Sequence, residues 1–189
     1  GSFFYTDINT ERYSGTAQSN KDKGFALKVK IKDQGRFPAL SLGLEDIAGT
    51  VLFSSEYLVS SYKLKNYDFS LGIGWGSLGS LNNFKNPFLY INEDFRNRDG
   101  SSNTNGGTLA FGNFFRGDAS IFGGIKIKLS KYKNLSFKLE YDSMNFNVQR
   151  GYRAKEATRY NYGFFSEPFK NTSLGIYRTE GNDLGFSFQ

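Results

Sequence analysis

The sequence predicts an all-β fold: an antiparallel, up-and-down β-barrel of the transmembrane, outer-membrane type, with about ten strands and two or three long loops. Three observations predict it. Apolar residues recur at every second position in segment after segment, the period that puts alternate side chains on opposite faces of a strand. Short and long connections alternate where the difference in length is most marked, as they do when strands run up and down through a bilayer. Finally, 20 Phe, 12 Tyr and 22 Gly among 189 residues favour strands and turns over helices.

A chain of this length suits one domain with a sizeable core, and nothing marks a linker, so a single domain over residues 1–189 is expected. Cysteine and histidine are both absent. Their absence excludes disulfide frameworks, Cys-ligated and zinc centres, and His-based acid/base or nucleophilic triads; no metal, no cofactor and no enzymatic activity are expected. No stretch approaches the roughly 18 to 20 consecutive apolar residues of a membrane helix. The mean hydropathy of −0.50 leaves a barrel open, because a membrane strand hides only every second residue from water. Gly1 and Ser2 run straight into Phe3, Phe4 and Tyr5 without a basic n-region or small-residue cleavage site, which reads as a mature or trimmed chain. The net charge of +6 suits anionic polymers of any kind and does not choose among them.

The elements follow in order. Phe3 to Ile8 reads as a first strand and the polar run Asn9 to Lys23 as a long loop. From Gly24, Phe25, Leu27, Val29 and Ile31 alternate with Ala26, Lys28, Lys30 and Lys32, the clearest strand in the chain. Asp33 to Arg36 reverse it, with Pro38 just beyond, where a missing N–H is tolerated. Leu40, Leu42 and Leu44 form a third strand. Leu52 to Lys63 form a fourth, read with Phe53, Tyr57 and Val59 on one face and Ser54, Glu56 and Ser60 on the other. In the fifth, Tyr67, Phe69, Leu71, Ile73 and Trp75 oppose Asp68, Ser70, Gly72 and Gly74.

Residues 76–119 then turn to Asn, Gly, Ser and Arg, a long loop with a short helix expected near Asn92 to Arg96. Ile121, Gly123, Ile125, Ile127 and Leu129 alternate with Lys126 and Lys128. They make a hairpin with Leu135, Phe137, Leu139 and Tyr141, which oppose Ser136, Lys138, Glu140 and Asp142. Asn145 to Arg159 is a second polar loop. Tyr160, Tyr162 and Phe164 open the eighth strand, Glu167 to Asn171 turn it, Leu174 and Ile176 belong to the ninth, and Leu184 to Gln189 form the tenth.

Alternation alone does not tell a membrane barrel, apolar outside, from a soluble one, apolar inside. Tyr57, Tyr62, Tyr67, Trp75, Tyr132, Tyr141, Tyr160 and Tyr162 lie mainly near strand ends, where amphipathic rings favour a membrane interface. The row Phe25, Leu27, Val29, Ile31 discriminates: exposed, it fits contact with lipid; buried, it removes the membrane reading.

One stretch carries a more specific signal. Arg36-Phe37-Pro38-Ala39, Gly43-Leu44-Glu45-Asp46-Ile47-Ala48-Gly49-Thr50, Phe53-Ser54-Ser55-Glu56-Tyr57, Leu71-Gly72-Ile73-Gly74-Trp75-Gly76 and Asn86-Pro87-Phe88 occur in that order. This stretch resembles the YjbH family of exopolysaccharide-associated outer-membrane proteins, related to the capsule-operon protein GfcD. The resemblance implies a bacterial outer-membrane β-barrel acting alongside polysaccharide synthesis or export. Its partners would be outer-membrane lipid, an exopolysaccharide, and other export or assembly proteins.

Candidate site residues follow from charge on the strands and in the loops. Lys28, Lys30, Lys32, Lys126, Lys128, Lys138, Glu140 and Glu56 are the candidates for a lumen lining that meets an anionic or hydroxyl-rich glycan; the plainer reading is a solvated wall with internal ion pairs. Arg96, Arg98, Arg116, Arg150 and Arg153 are loop candidates for ligand contact, beside the plainer reading of a solvated loop. Glu45, Asp46 and Glu56 suggest a carboxylate pair for glycoside cleavage, but acidic residues are common beside turns. Gly72-Ile73-Gly74-Trp75-Gly76 lacks the helix a dinucleotide fingerprint needs; the glycines let a strand curve or make room inside a narrow barrel. Nucleic acid is not an expected partner, because lysines and aromatics fall on opposite faces whereas single strands need them together. A soluble barrel binding a lipid or small hydrophobic ligand, and a passive small-solute channel, are the alternatives.

Overall fold

The computed structural model describes residues 1–12, 19–47, 54–98, 111–129, 134–145, 158–179 and 183–188, with backbone alone at 4, 6–12, 19–22 and 111. Ten antiparallel strands form one sheet in sequence order: β1 (Ser2–Arg12), β2 (Ser19–Lys32), β3 (Ala39–Glu45), β4 (Ser55–Leu64), β5 (Tyr67–Gly76), β6 (Ser120–Lys128), β7 (Ser136–Tyr141), β8 (Tyr160–Phe169), β9 (Thr172–Thr179) and β10 (Asp183–Phe188). The meander and the number of strands match the sequence reading. Closure does not: β1 pairs with β2 and β10 with β9, and no described pair joins the two edges. Closing a sheet requires the last strand to return to the first with matching tilt and stagger. Here the sheet is open.

The first connection also differs. Most of the expected loop after Ile8 is strand, paired through Thr6↔Asp22, Asp7↔Lys21 and Ile8↔Asn20. Ladder hydrogen bonds are made by the backbone, so a polar hairpin can extend beyond the part with apolar alternation. At the opposite end of the sheet the turns are tight, and Lys65, Asn134 and Asn171 adopt left-handed backbone there (φ 51°, 59° and 64°). Asparagine tolerates that region; lysine pays for its Cβ. Replacing Lys65 with glycine is expected to stabilise the sheet by about 1 kcal/mol, read as a higher urea midpoint.

The two faces are unlike. Register places Val29, Leu42, Leu58, Ile73 and Ile121 in one line across five strands, and this apolar face is bare. Phe25, Leu27, Val29 and Ile31 are 55, 43, 47 and 56% exposed. Leu71, Phe164, Ile176, Leu184, Phe186 and Phe188 are exposed on the same face. Among the described residues the buried apolar side chains are Val59, Trp75 and Ala119, the reverse of a soluble barrel, whose apolar side chains fill the interior. No helix among the described residues is long and apolar enough to cross a membrane, which says nothing of strands.

In β4 the sequence reading had the faces inverted. Leu58, Tyr62 and Leu64 lie opposite Leu42, Phe69 and Tyr67 on the apolar face, while Tyr57 and Val59 share the other face with Gly43, Gly74, Ser41 and Gly72. Glu56 therefore shares a face with Leu44 and Trp75. Tyr57, Leu58 and Val59 are consecutive and all apolar-bodied, so alternation does not set the phase there.

Candidate functional site

The second face, polar at its rows of charge, carries most of the candidate lining. Lys28 and Lys30 lie opposite Gly43 and Ser41, both exposed, and Lys30 pairs with Asp33 at 2.5 Å. Lys32 leaves their row: a β-bulge after Lys30 pairs it with Leu40, and its ammonium sits 5.1 Å from the centre of the Phe37 ring. Across β5, β6 and β7, Asp68, Lys126 and Lys138 are successive cross-strand neighbours. Lys128, exposed, lies opposite Ser136 near the tight-turn end, and Glu140 lies between Gly124 and Asn161. The structure thus brings Lys126, Lys138 and Glu140 around one cavity of about 440 Å³, and keeps Lys28 and Lys30 on the far strand.

Glycines shape this face. Among the described side chains, the strand aromatics on it lie opposite glycines: Tyr57 between Gly43 and Gly74, Phe122 opposite Gly72, Phe165 opposite Gly175, and Tyr177 between Gly163 and Gly185. A Cβ on Gly72 would stand 2.3 Å from Phe122 Cζ, and one on Gly43 2.0 Å from Tyr57 Cζ. The glycines make room for rings to lie along the sheet, a use the sequence reading allowed. Gly72→Ala is expected to lift the Phe122 ring and cost about 1–3 kcal/mol, measured as a lower urea midpoint with the strand circular dichroism retained.

Lys138 Nζ stands 4.1 Å from the centre of the Phe165 ring. Lysine and aromatic therefore share a face in β7 and β8, contrary to the expectation that lysines and aromatics fall on opposite faces. The rule failed because Phe165 follows Phe164: only register shows which of two adjacent rings points to the lysines.

Glu56 and the loop arginines have a different surrounding. Glu56 is 1% exposed. Arg98 grips its carboxylate with two nitrogens, at 2.7 and 2.9 Å, and also donates to Ser54 Oγ at 2.6 Å and to the Asn113 carbonyl at 3.1 Å. The Phe115 N–H donates to Glu56 Oε2 at 2.9 Å. Beside this node Trp75, 3% exposed, stacks on Phe88 at 5.5 Å and meets Phe115 edge-on at 5.3 Å. Asn86, 1% exposed, donates to the Phe95 and Phe115 carbonyls and caps the 3-10 turn Pro87–Tyr90. The structure thus joins Glu56 and Arg98, which the sequence assigned separately to lumen and loop. Trp75, read as an interface ring, is covered by loop aromatics.

The expected short helix is the 3-10 turn Glu93–Phe95, whose Asn92 side chain accepts from Asp94 N–H at 2.9 Å. Arg96 pairs with Glu93 on its exposed side, and Arg116 is half-buried. Arg150 and Arg153 lie outside the described residues. Of the acidic trio, Asp46 is buried at the turn after β3, Glu45 is exposed, and Glu56 is paired with Arg98. Among the described residues no group of three or more His, Cys, Asp or Glu side chains could hold a metal ion.

Comparison with known proteins places these features in a family. The sequence model of the YjbH family, described as exopolysaccharide biosynthesis protein, matches residues 1–189. The chain is 33% identical over 192 residues to the protein named uncharacterized lipoprotein YjbH of Escherichia coli (strain K12); the match covers 98% of this chain and 26% of that relative. The chain thus spans about a quarter of the relative's length. No solved structure matches it. By the match along all 189 residues, the chain belongs to the YjbH family of exopolysaccharide biosynthesis proteins.

Proposed function

We propose that this chain is a wall segment of a bacterial outer-membrane β-barrel that supports exopolysaccharide synthesis or export without catalysing a reaction. The carrying observation is the bare apolar face, with Phe25, Leu27, Val29 and Ile31 all exposed. Water would penalise that face across most of the strands, whereas hydrocarbon would not. Phe25 to Ile31 covers about 20 Å of strand, which at a tilt of about 40° spans about 15 Å of the roughly 25 Å apolar band of such barrels. Tyr67, Tyr160 and Tyr162 are exposed near its borders, where amphipathic rings suit headgroups.

Placement in lipid has a further requirement. Unpaired backbone at the edges of β1 and β10 has no partner in hydrocarbon, so these edges must meet each other or other strands. A lipoprotein relative accords with an envelope location. The partners of this reading are outer-membrane lipid, exopolysaccharide and other export or assembly proteins. The soluble-barrel alternative needs the Phe25 row inside.

The test is made in cells. The protein is expected in the detergent-extracted outer-membrane fraction, and its deletion is expected to lower surface polysaccharide several-fold. Recovery in a soluble fraction overturns the membrane reading; unchanged polysaccharide overturns the role.

A further inference from the structure

At the β8–β10 end of the polar face, Phe165 and Tyr177 form a flat floor. Their planes are 9° apart with ring centres at 6.1 Å. Each lies opposite glycine, and a Cβ added at Gly175 would come within 2.6 Å of Phe165 Cδ1, or at Gly185 within 2.4 Å of Tyr177 Cε2. The rings line a cavity of about 310 Å³ with Lys138, Glu140, Asn161 and Ser187 also in its wall. This rim offers donors (Lys138, Asn161, Ser187) and acceptors (Glu140, Asn161, Ser187) around an apolar base. The neighbouring 440 Å³ cavity shares Lys138, Glu140 and Asn161, so the cleft continues across β7 towards β5.

We propose that this cleft binds successive pyranose rings of a polysaccharide; this deepens the reading above and rests on it. One face of a pyranose is a sheet of C–H groups that lies flat against the negative face of an aromatic ring, while its edge carries hydroxyls. A hydroxyl both donates and accepts, and the mixed rim serves both roles. The continuation into the second cavity fits a polymer in preference to a single sugar. The charges lining the two joined cavities, Lys126, Lys138 and Arg178 against Asp68, Glu140 and Asp142, balance, which suits a hydroxyl-rich polymer better than the continuous phosphates of a nucleic acid.

The experiment uses the protein in micelles of lauryldimethylamine oxide, a detergent without a sugar headgroup. Cellohexaose, hexameric oligomannuronate and oligothymidylate are the probes, read by saturation-transfer NMR and titration calorimetry. Binding of either saccharide, with saturation reaching its ring C–H protons, is expected. Tyr177→Leu is expected to weaken it about tenfold, Tyr177→Phe to leave it unchanged, and Gly175→Ala to weaken it by tilting Phe165 without deleting a ring. Unchanged Trp75 emission in each variant shows that the loop node, remote from the cleft, remains folded. The proposal is overturned if neither saccharide binds, if affinity is equal in all variants, or if oligothymidylate is preferred. Lost saccharide binding with a polysaccharide defect on deletion sinks this proposal alone; intact binding with no such defect sinks the cellular role alone.

Discussion

Replacing Arg98 with methionine is expected to detach the described loop segments 77–98 and 111–119 from the rim of the sheet. Glu56 is 1% exposed and Arg98 only 16% at the side chain, so screening by water is slight on the carboxylate side. Removing the guanidinium leaves a buried charge with the Phe115 N–H as its remaining described donor, a situation that costs about 3–5 kcal/mol. The response should include opening of the loop, because opening rehydrates Glu56. Trp75, the only tryptophan, would lose its stacking on Phe88 and its emission should shift to longer wavelength. Protease should cut within the loop sooner. The double variant Glu56→Leu with Arg98→Met should recover part of the loss, since an apolar pair removes the orphan charge. An unchanged emission and urea midpoint in Arg98→Met would show that the node does not hold the loop.

The second large effect separates lipid from water as the neighbour of the apolar face. Leu71 is 63% exposed. In water, Leu71→Arg should lie within about 0.5 kcal/mol of the unaltered protein; facing hydrocarbon near the bilayer centre, it should cost about 2–4 kcal/mol. Ser70→Arg, one residue away on the other face, is the control. It forfeits the 3.0 Å hydrogen bond to Ser61, worth about 1 kcal/mol. Urea titrations after folding into lipid vesicles are expected to rank Leu71→Arg well below Ser70→Arg. Equal effects would count against a lipid-facing Leu71.

How much of this was legible depended on whether one strand or several held the information. In β2, β5, β6 and β7 a single strand suffices: Ile125, Ile127, Phe137 and Leu139 alternate with lysines and serine so cleanly that their shared face follows from a period of two. In β4 it does not suffice, because Tyr57 lies on the lysine face by virtue of Gly43 and Gly74 beside it. The lining residues Lys126, Lys138 and Glu140 could be picked out by type. That Phe165 lies beside them was hidden, since it follows Phe164, a residue of equal hydrophobicity; Tyr177 follows Ile176 in plain alternation, but only register sets it beside Phe165. Glycine opposite an aromatic would have been a usable signal had the register been known.

Sequence patterning specified ten strands in antiparallel order, though not the polar extension of the β1–β2 hairpin, together with the family and the existence of one apolar and one charged face. These depend on spacing within a strand or on local motifs. The tertiary structure alone decided that the sheet has open edges, that Glu56 and Arg98 neutralise each other under the loop, and that two rings and a mixed rim share a cleft. Each of these joins residues from different strands or from strand and loop, and cross-strand register, set by backbone pairing over the whole sheet, brings them together.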